Sequence, residues 1–214
     1  HVTLLYHPVQ GETVYDLDGR RPAQHVLDYP FTLRFDNHQP ARVRTVGLLL
    51  NGTSLNGVPG IDLAAYDAGV RRILQWCEQL GLSLVVRSRP GNTLFTTLLG
   101  PAGLSKEQQA QSTAGSMADF AQRCDLCLMY DAPTSGAIEL LSRGVATLNP
   151  VATGLSRRET ASMDPGIVPR SSVDDALLLA TQLVRDTQQF QQFRTQQFLA
   201  YVQRSGQAQP LRAL

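Results

Sequence analysis

Two hydroxyls and a glycine, Thr134-Ser135-Gly136, stand directly before the apolar segment Ala137-Ile138-Glu139-Leu140-Leu141. At the start of a helix the first backbone N–H groups lack partners within the helix, and the dipole presents its positive end. An anion is favoured there, and a glycine lets a phosphate come close to the backbone. Glu139 falls in the first turn of such a helix, where its carboxylate can accept two hydrogen bonds from a vicinal diol such as a ribose. The same residues also make an ordinary helix cap, with a hydroxyl on the first amides and Glu139 complementing the dipole. Arg87 and Arg89 close the run Leu84-Val85-Val86-Arg87-Ser88-Arg89-Pro90-Gly91. A guanidinium in that place pairs with a diphosphate or a sugar carboxylate, or with an acidic neighbour on the surface. Asn51-Gly52-Thr53-Ser54 ends another apolar run and offers Asn51, Gly52 and Thr53 as further loop contacts for an anion. It lacks the G-x-G-x-x-G spacing, so an NAD-type fingerprint is disfavoured.

Composition narrows the chemistry further. All four histidines, His1, His7, His25 and His38, fall in the first 38 residues, so the rest of the chain holds neither a Ser/His/Asp triad nor a histidine metal site. No metal and no tightly held cofactor is expected. The three cysteines are odd in number and read as reduced. Cys124-Asp125-Leu126-Cys127 matches C-x-x-C but runs straight into an apolar stretch, which points to core packing rather than thiol exchange. Net charge is +1, which gives no case for nucleic acid or an anionic membrane as the main partner. No apolar run approaches the length of a membrane span, and no export leader is readable. A cytoplasmic protein is expected, with peripheral membrane association compatible. The start at His1 rather than Met reads as a trimmed or processed chain.

These residues need a scaffold that carries strand ends to one crevice. With 214 residues the chain suits one α/β domain with an appendage. Residues 1–44 form a short irregular or β-rich leader, with a strand at 2–6 and a hairpin signal at Asp18-Gly19. From residue 45 apolar runs alternate with amphipathic segments. Strands are expected at 45–50, 82–86, 126–130, 145–148 and 166–168. Between and after them lie helices opened by Asp62, by residues near Met117, by Ser135 and by Ser171-Ser172, and a Gln-rich last helix carrying Phe190, Phe193, Phe198, Tyr201 and Val202. Such alternation predicts a Rossmann-like parallel sheet with helices on both faces, and a ligand crevice at the carboxyl ends of its strands.

The order of these pieces, from Val85-Val86-Arg87-Ser88-Arg89-Pro90-Gly91 through Ala118-Asp119-Phe120-Ala121 to Thr134-Ser135-Gly136-Ala137-Ile138-Glu139-Leu140-Leu141-Ser142-Arg143-Gly144-Val145-Ala146, resembles the C-terminal half of a GT-B glycosyltransferase. It is most similar to the capsular-polysaccharide group with its sialyl- and Kdo-transferase-like relatives. The resemblance spans about residues 45–204 and implies that residues 45–214 bind a nucleotide-sugar donor. Thr134, Ser135 and Gly136, with Arg87 and Arg89, would meet phosphate, and Glu139 the ribose. Arg89-Pro90 stands where sialyl- and Kdo-type members carry His-Pro, which points away from a CMP-sugar, and Ala146 replaces the usual proline of the G-x-P-V turn. A GT-B enzyme also needs an acceptor-binding Rossmann half, which 44 residues cannot form. The expected role is therefore donor binding in bacterial surface-polysaccharide assembly, inactive without an acceptor-binding domain or subunit, and no catalytic residue is assigned. Two other readings stay open: a non-catalytic recognition module of a biosynthetic complex, and a nucleotide-sugar epimerase-like domain, which lacks acid/base candidates after His38.

Overall fold

A computed structural model describes residues 2–5, 23–26, 40–50, 62–88, 104–131, 136–152 and 167–205. Strands β1 (Val2–Leu5) and β2 (Ala23–Val26) form a parallel pair of their own. The hairpin signal at residues 18–19 lies outside the described residues.

The main sheet is built from β3 (Thr45–Leu50), β4 (Ser83–Ser88), β5 (Leu126–Tyr130), β6 (Ala146–Val151) and β7 (Arg170–Ser172). Its order is β4-β3-β5-β6-β7 and every pairing is parallel. The helices are α1 (Leu63–Gln79), α2 (Lys106–Gln111), α3 (Met117–Arg123), α4 (Gly136–Ser142), α5 (Val173–Arg185) and α6 (Thr187–Ser205). The chain is an α/β protein with a Rossmann-like sheet and helices against both faces.

Each strand divides its side chains between two cores, as a period of two requires. Val46, Leu48 and Leu50 of β3 join Leu126, Leu128 and Tyr130 of β5 in the core beneath α1 and α5. Leu49, Cys127 and Met129 point the other way and pack with Phe120, Ile138, Leu141 and Tyr201 from α3, α4 and the end of α6. Central strands buried on both faces must read as unbroken apolar runs, which is why 45–50 and 126–130 stand out in the sequence. Gly47 makes the second core possible: a Cβ there would sit 2.8 Å from the Phe120 ring and 2.9 Å from Cys124 Cβ. The helices start where short polar residues cap them. Asp62 Oδ1 accepts from Ala65 N at 3.0 Å, and Ser172 Oγ accepts from Asp175 N at 3.2 Å.

Four details differ from the sequence expectation. The second strand of the sheet runs on to Ser88, so Arg87 lies within it rather than in the loop beyond. The fourth runs over Ala146–Val151, through Pro150. The last strand is Arg170–Ser172, whereas Ile167 and Val168 are buried core residues ahead of it. The polar helix α2 carries no apolar period, so the sequence pattern does not reveal it.

Candidate functional site

The chain leaves the interior strand β3 toward β4 on one side and returns as β5 on the other. This order, first strand flanked by second and third, places the switch point between β3 and β5, and ligands of open α/β sheets bind outside the carboxyl ends there. The β5–α4 connection leaves one flank of that point and the segment after Leu50 leaves the other. Asn51, Gly52 and Thr53, Arg89, and Thr134 and Ser135 lie outside the described residues, so the described part of this edge consists of Arg87, Ser88, Tyr130, Asp131, Gly136, Glu139 and the end of β6.

Gly136 begins α4 tightly wedged between layers. A Cβ on it would lie 3.2 Å from Leu49 Cδ2 and 3.2 Å from Met117 Cε. Packing across the switch point is therefore reason enough for a glycine, whether or not an anion approaches it. Glu139 follows in the first turn, half-buried. Burial pushes its carboxyl above the usual range, while the guanidinium groups of Arg143 and Arg87 pull the other way. Two of the residues singled out from the sequence, Arg87 on β4 and Glu139 on α4, thus lie on the same face of the sheet. Arg87 also holds the turn before α3, because its Nη1 donates to the carbonyls of Ala114 and Gly115, each at 2.7 Å. At that turn Ser116 and Asp119 cap α3 reciprocally, and the hydrogen bonds from Ser116 hold the Asp119 carboxyl below its ordinary value.

The opposite face of the same edge carries polar groups that the sequence reading missed. Tyr130 donates its hydroxyl to the Tyr66 carbonyl at 2.6 Å, and the two rings meet edge to face at 4.7 Å. Burial first, and the Asp131 carboxylate next, hold the Tyr66 hydroxyl well above the ordinary phenol range. Ser88 Oγ and Asp67 Oδ1 are buried without a hydrogen-bond partner. No periodicity marks such groups, because what identifies them is the lack of a partner that only the fold reveals.

Neither described cavity lies at this edge. One, about 20 Å³, has room for one or two waters at the other end of the sheet among Asp125, Gly144 and Arg194. The other, about 270 Å³, is an open groove between α1 and α5, lined by Arg72, Trp76, Asp174 and Leu178 among others, with no strand residue in its wall. No cluster of three potential metal ligands occurs among the described residues. Cys77, Cys124 and Cys127 are buried and unbridged. Burial pushes the Cys77 and Cys124 thiols up to about 12 and Cys127 well above the ordinary thiol value, which removes the thiolate that exchange chemistry needs. No described helix is long and apolar enough to cross a membrane.

No family model matches the chain, and no curated protein matches it. Among solved structures it is similar to the glycosyltransferase SnogD from Streptomyces nogalater, with a TM-score of 0.46 and 16% identity over 95% of this chain and 51% of that one. The chain thus spans about half the length of that structure.

Proposed function

We propose that residues 45–214 are the nucleotide-sugar-binding domain of a GT-B-type bacterial glycosyltransferase, of the capsular-polysaccharide group, with residues 1–44 as its leader. One observation supports the reading: Arg87, opposite Leu49 near the carboxyl end of β4, and Glu139, in the first turn of α4, stand on the same face of the sheet at its carboxyl edge. A cation and a partly desolvated carboxylate so placed suit the two ends of a nucleotide diphosphate, charged phosphates and a ribose diol. In this reading Thr134, Ser135, Gly136, Arg87 and Arg89 meet the phosphates, with Asn51, Gly52 and Thr53 beside them, and Glu139 accepts from the ribose hydroxyls. The acceptor hydroxyl attacks the anomeric carbon, the bond from that carbon to the phosphate oxygen breaks, and the nucleotide leaves with its charge held at this edge. The base that takes the acceptor's proton belongs to an acceptor-binding domain or subunit. The setting is the cytoplasm, with peripheral contact to a membrane where the polysaccharide is assembled. Neither nucleic acid nor a metal has a part.

Thermal melting with UDP, GDP and CMP at millimolar concentration tests this. At least one should raise Tm, and Glu139→Ala should abolish the shift. If none of the three moves Tm, the chain is not a donor-binding domain and a recognition module takes its place.

A further inference from the structure

At the carboxyl end of the sheet the β5–β6 ladder is completed by side chains. Regular pairing runs to Leu128 opposite Leu148. The next N–H on β6 that faces β5 belongs to position 150, and Pro150 has none to give to the Met129 carbonyl. The side-chain amide of Asn149 supplies it instead, donating to Met129 O at 2.5 Å and to Asp131 O at 3.2 Å. Asp131 N then donates to Pro150 O at 2.8 Å, and the Asp131 carboxylate accepts from Ala152 N at 3.2 Å. Asp131 makes these bonds from a left-handed backbone, φ 64°, as the sole non-glycine of that kind among the described residues, and it is 0% exposed. Aspartate tolerates this region better than most residues, but a fully buried one held there by several bonds is over-determined by its surroundings, as strained residues at working sites are.

We propose that Asp131 is a positioning residue of the carboxyl-edge site. It bolts the exit of β5, which leads to Gly136 and Glu139, to the exit of β6 at Ala152, so that those two residues of α4 face a ligand in a fixed relation to the end of β6. This builds on the donor-site reading and adds the coupling between two strand exits, which that reading does not contain. The prediction concerns the Ala152 amide above all, because that bond joins the two exits through a side chain and can be removed without cutting a rung of the sheet.

The test uses the full chain, with amide exchange followed by NMR and the affinity for UDP, GDP and CMP measured by titration calorimetry. Asp131→Gly relieves the backbone strain but deletes the acceptor. It should leave Tm within a few degrees of the parent, raise exchange at the Ala152 amide at least tenfold, and weaken the best of the three nucleotides at least tenfold. Asp131→Asn keeps an oxygen acceptor and the tolerance for φ above zero, and should restore both. If Asp131→Gly fails to fold, Ala152→Pro removes the same bond from the donor side and should cost the same affinity. Unchanged affinity once the Ala152 amide is unprotected overturns the proposal. So does a uniform rise in exchange throughout the sheet, which would mark Asp131 as a stability residue alone. A parent chain that binds none of the nucleotides sinks the donor reading and this proposal together, whereas a parent that binds and an indifferent Asp131→Gly sinks only this one.

Discussion

Each end of the five-stranded sheet holds a buried aspartate and an amide side chain that replaces a missing rung, yet the two ends are put to different uses. At the amino end Asp125 accepts from the backbone N–H groups of Arg44 and Thr45, both at 2.8 Å, and so ties the start of β5 to the start of β3. Gln197 reaches in from α6 to fill the place that short β7 leaves beside β6. It accepts from Thr147 N at 2.8 Å and donates to Thr147 O at 2.7 Å and Ile167 O at 2.6 Å. Arg194, one turn earlier, donates to Gly144 O. The carboxyl end has a left-handed Asp131, a proline in place of a donor, and two buried oxygens without partners. A sheet has to hold together somewhere, and here the satisfied end does that while the strain and the unmet hydrogen bonds collect at the other.

The contrast breaks most directly at the amino end. Asp125→Ala leaves two amides without their charged acceptor and should cost about 3 kcal/mol in chemical denaturation, since a hydrogen bond to a charged group contributes about 1.5–3 kcal/mol. Nucleotide affinity per folded molecule should stay as it was. If instead stability holds and affinity falls, the assignment of roles to the two ends is reversed.

Gly69→Ala probes the carboxyl end from the helix above it. The new Cβ would overlap Tyr130 Oη, and Tyr130 is fully buried. Overpacking of that kind costs about 1–3 kcal/mol. Tyr130→Phe removes the clashing atom, so the double variant should be less damaged than the two single costs add up to. Simple additivity in a denaturation cycle would show that Tyr130 swings away freely.

How much of this the residues announce depends on whether the signal is local. Leu126–Tyr130 is readable to the residue, because a strand buried on both faces has no polar break. So is the face of α1, from Val70, Ile73 and Cys77 at helical spacing. Arg170–Ser172 is polar and partly exposed, an edge strand that takes its hydrogen bonds from β6 and has no apolar run to show, so the neighbouring Ile167 and Val168 draw the expectation instead. Of the site, Glu139 and Arg87 can be picked by type and by their place at strand ends and helix starts. Asp131 cannot, since its left-handed backbone and its bond to Ala152 depend on a proline 19 residues later in the chain. Gln197 escapes for the same reason: an amide in a Gln-rich helix looks like surface until a backbone 50 residues away proves to need it.

A pH series sharpens the comparison with a smaller effect. Glu139 in the fold holds its proton to higher pH than an unfolded Glu, so its contribution to stability diminishes as pH rises from the ordinary Glu value through the raised one. Ligand binding should run the other way, because only the ionised carboxylate accepts from both ribose hydroxyls. Nucleotide affinity should fall several-fold as pH drops through the raised Glu139 value, with Glu139→Gln giving a weaker but flatter profile. Equal slopes in the two proteins would remove Glu139 from the ribose.

The smallest change is expected of Ser88→Ala. A buried hydroxyl without a partner, 2% exposed, contributes nothing to stability in the empty fold, so its removal should be neutral or stabilising by up to about 1 kcal/mol. A loss of nucleotide affinity on top of unchanged Tm would mean that a ligand hydroxyl completes it.

The three buried thiols also make the native protein a quiet background for covalent labelling. With their pKa values raised and their sulfurs enclosed, Cys77, Cys124 and Cys127 should ignore a maleimide near neutral pH for as long as the chain stays folded. A single cysteine introduced on an exposed face, for example at Gln122 on α3, would then carry a fluorophore or spin label without any native cysteine being replaced. The onset of labelling at the native three would report unfolding from inside the core.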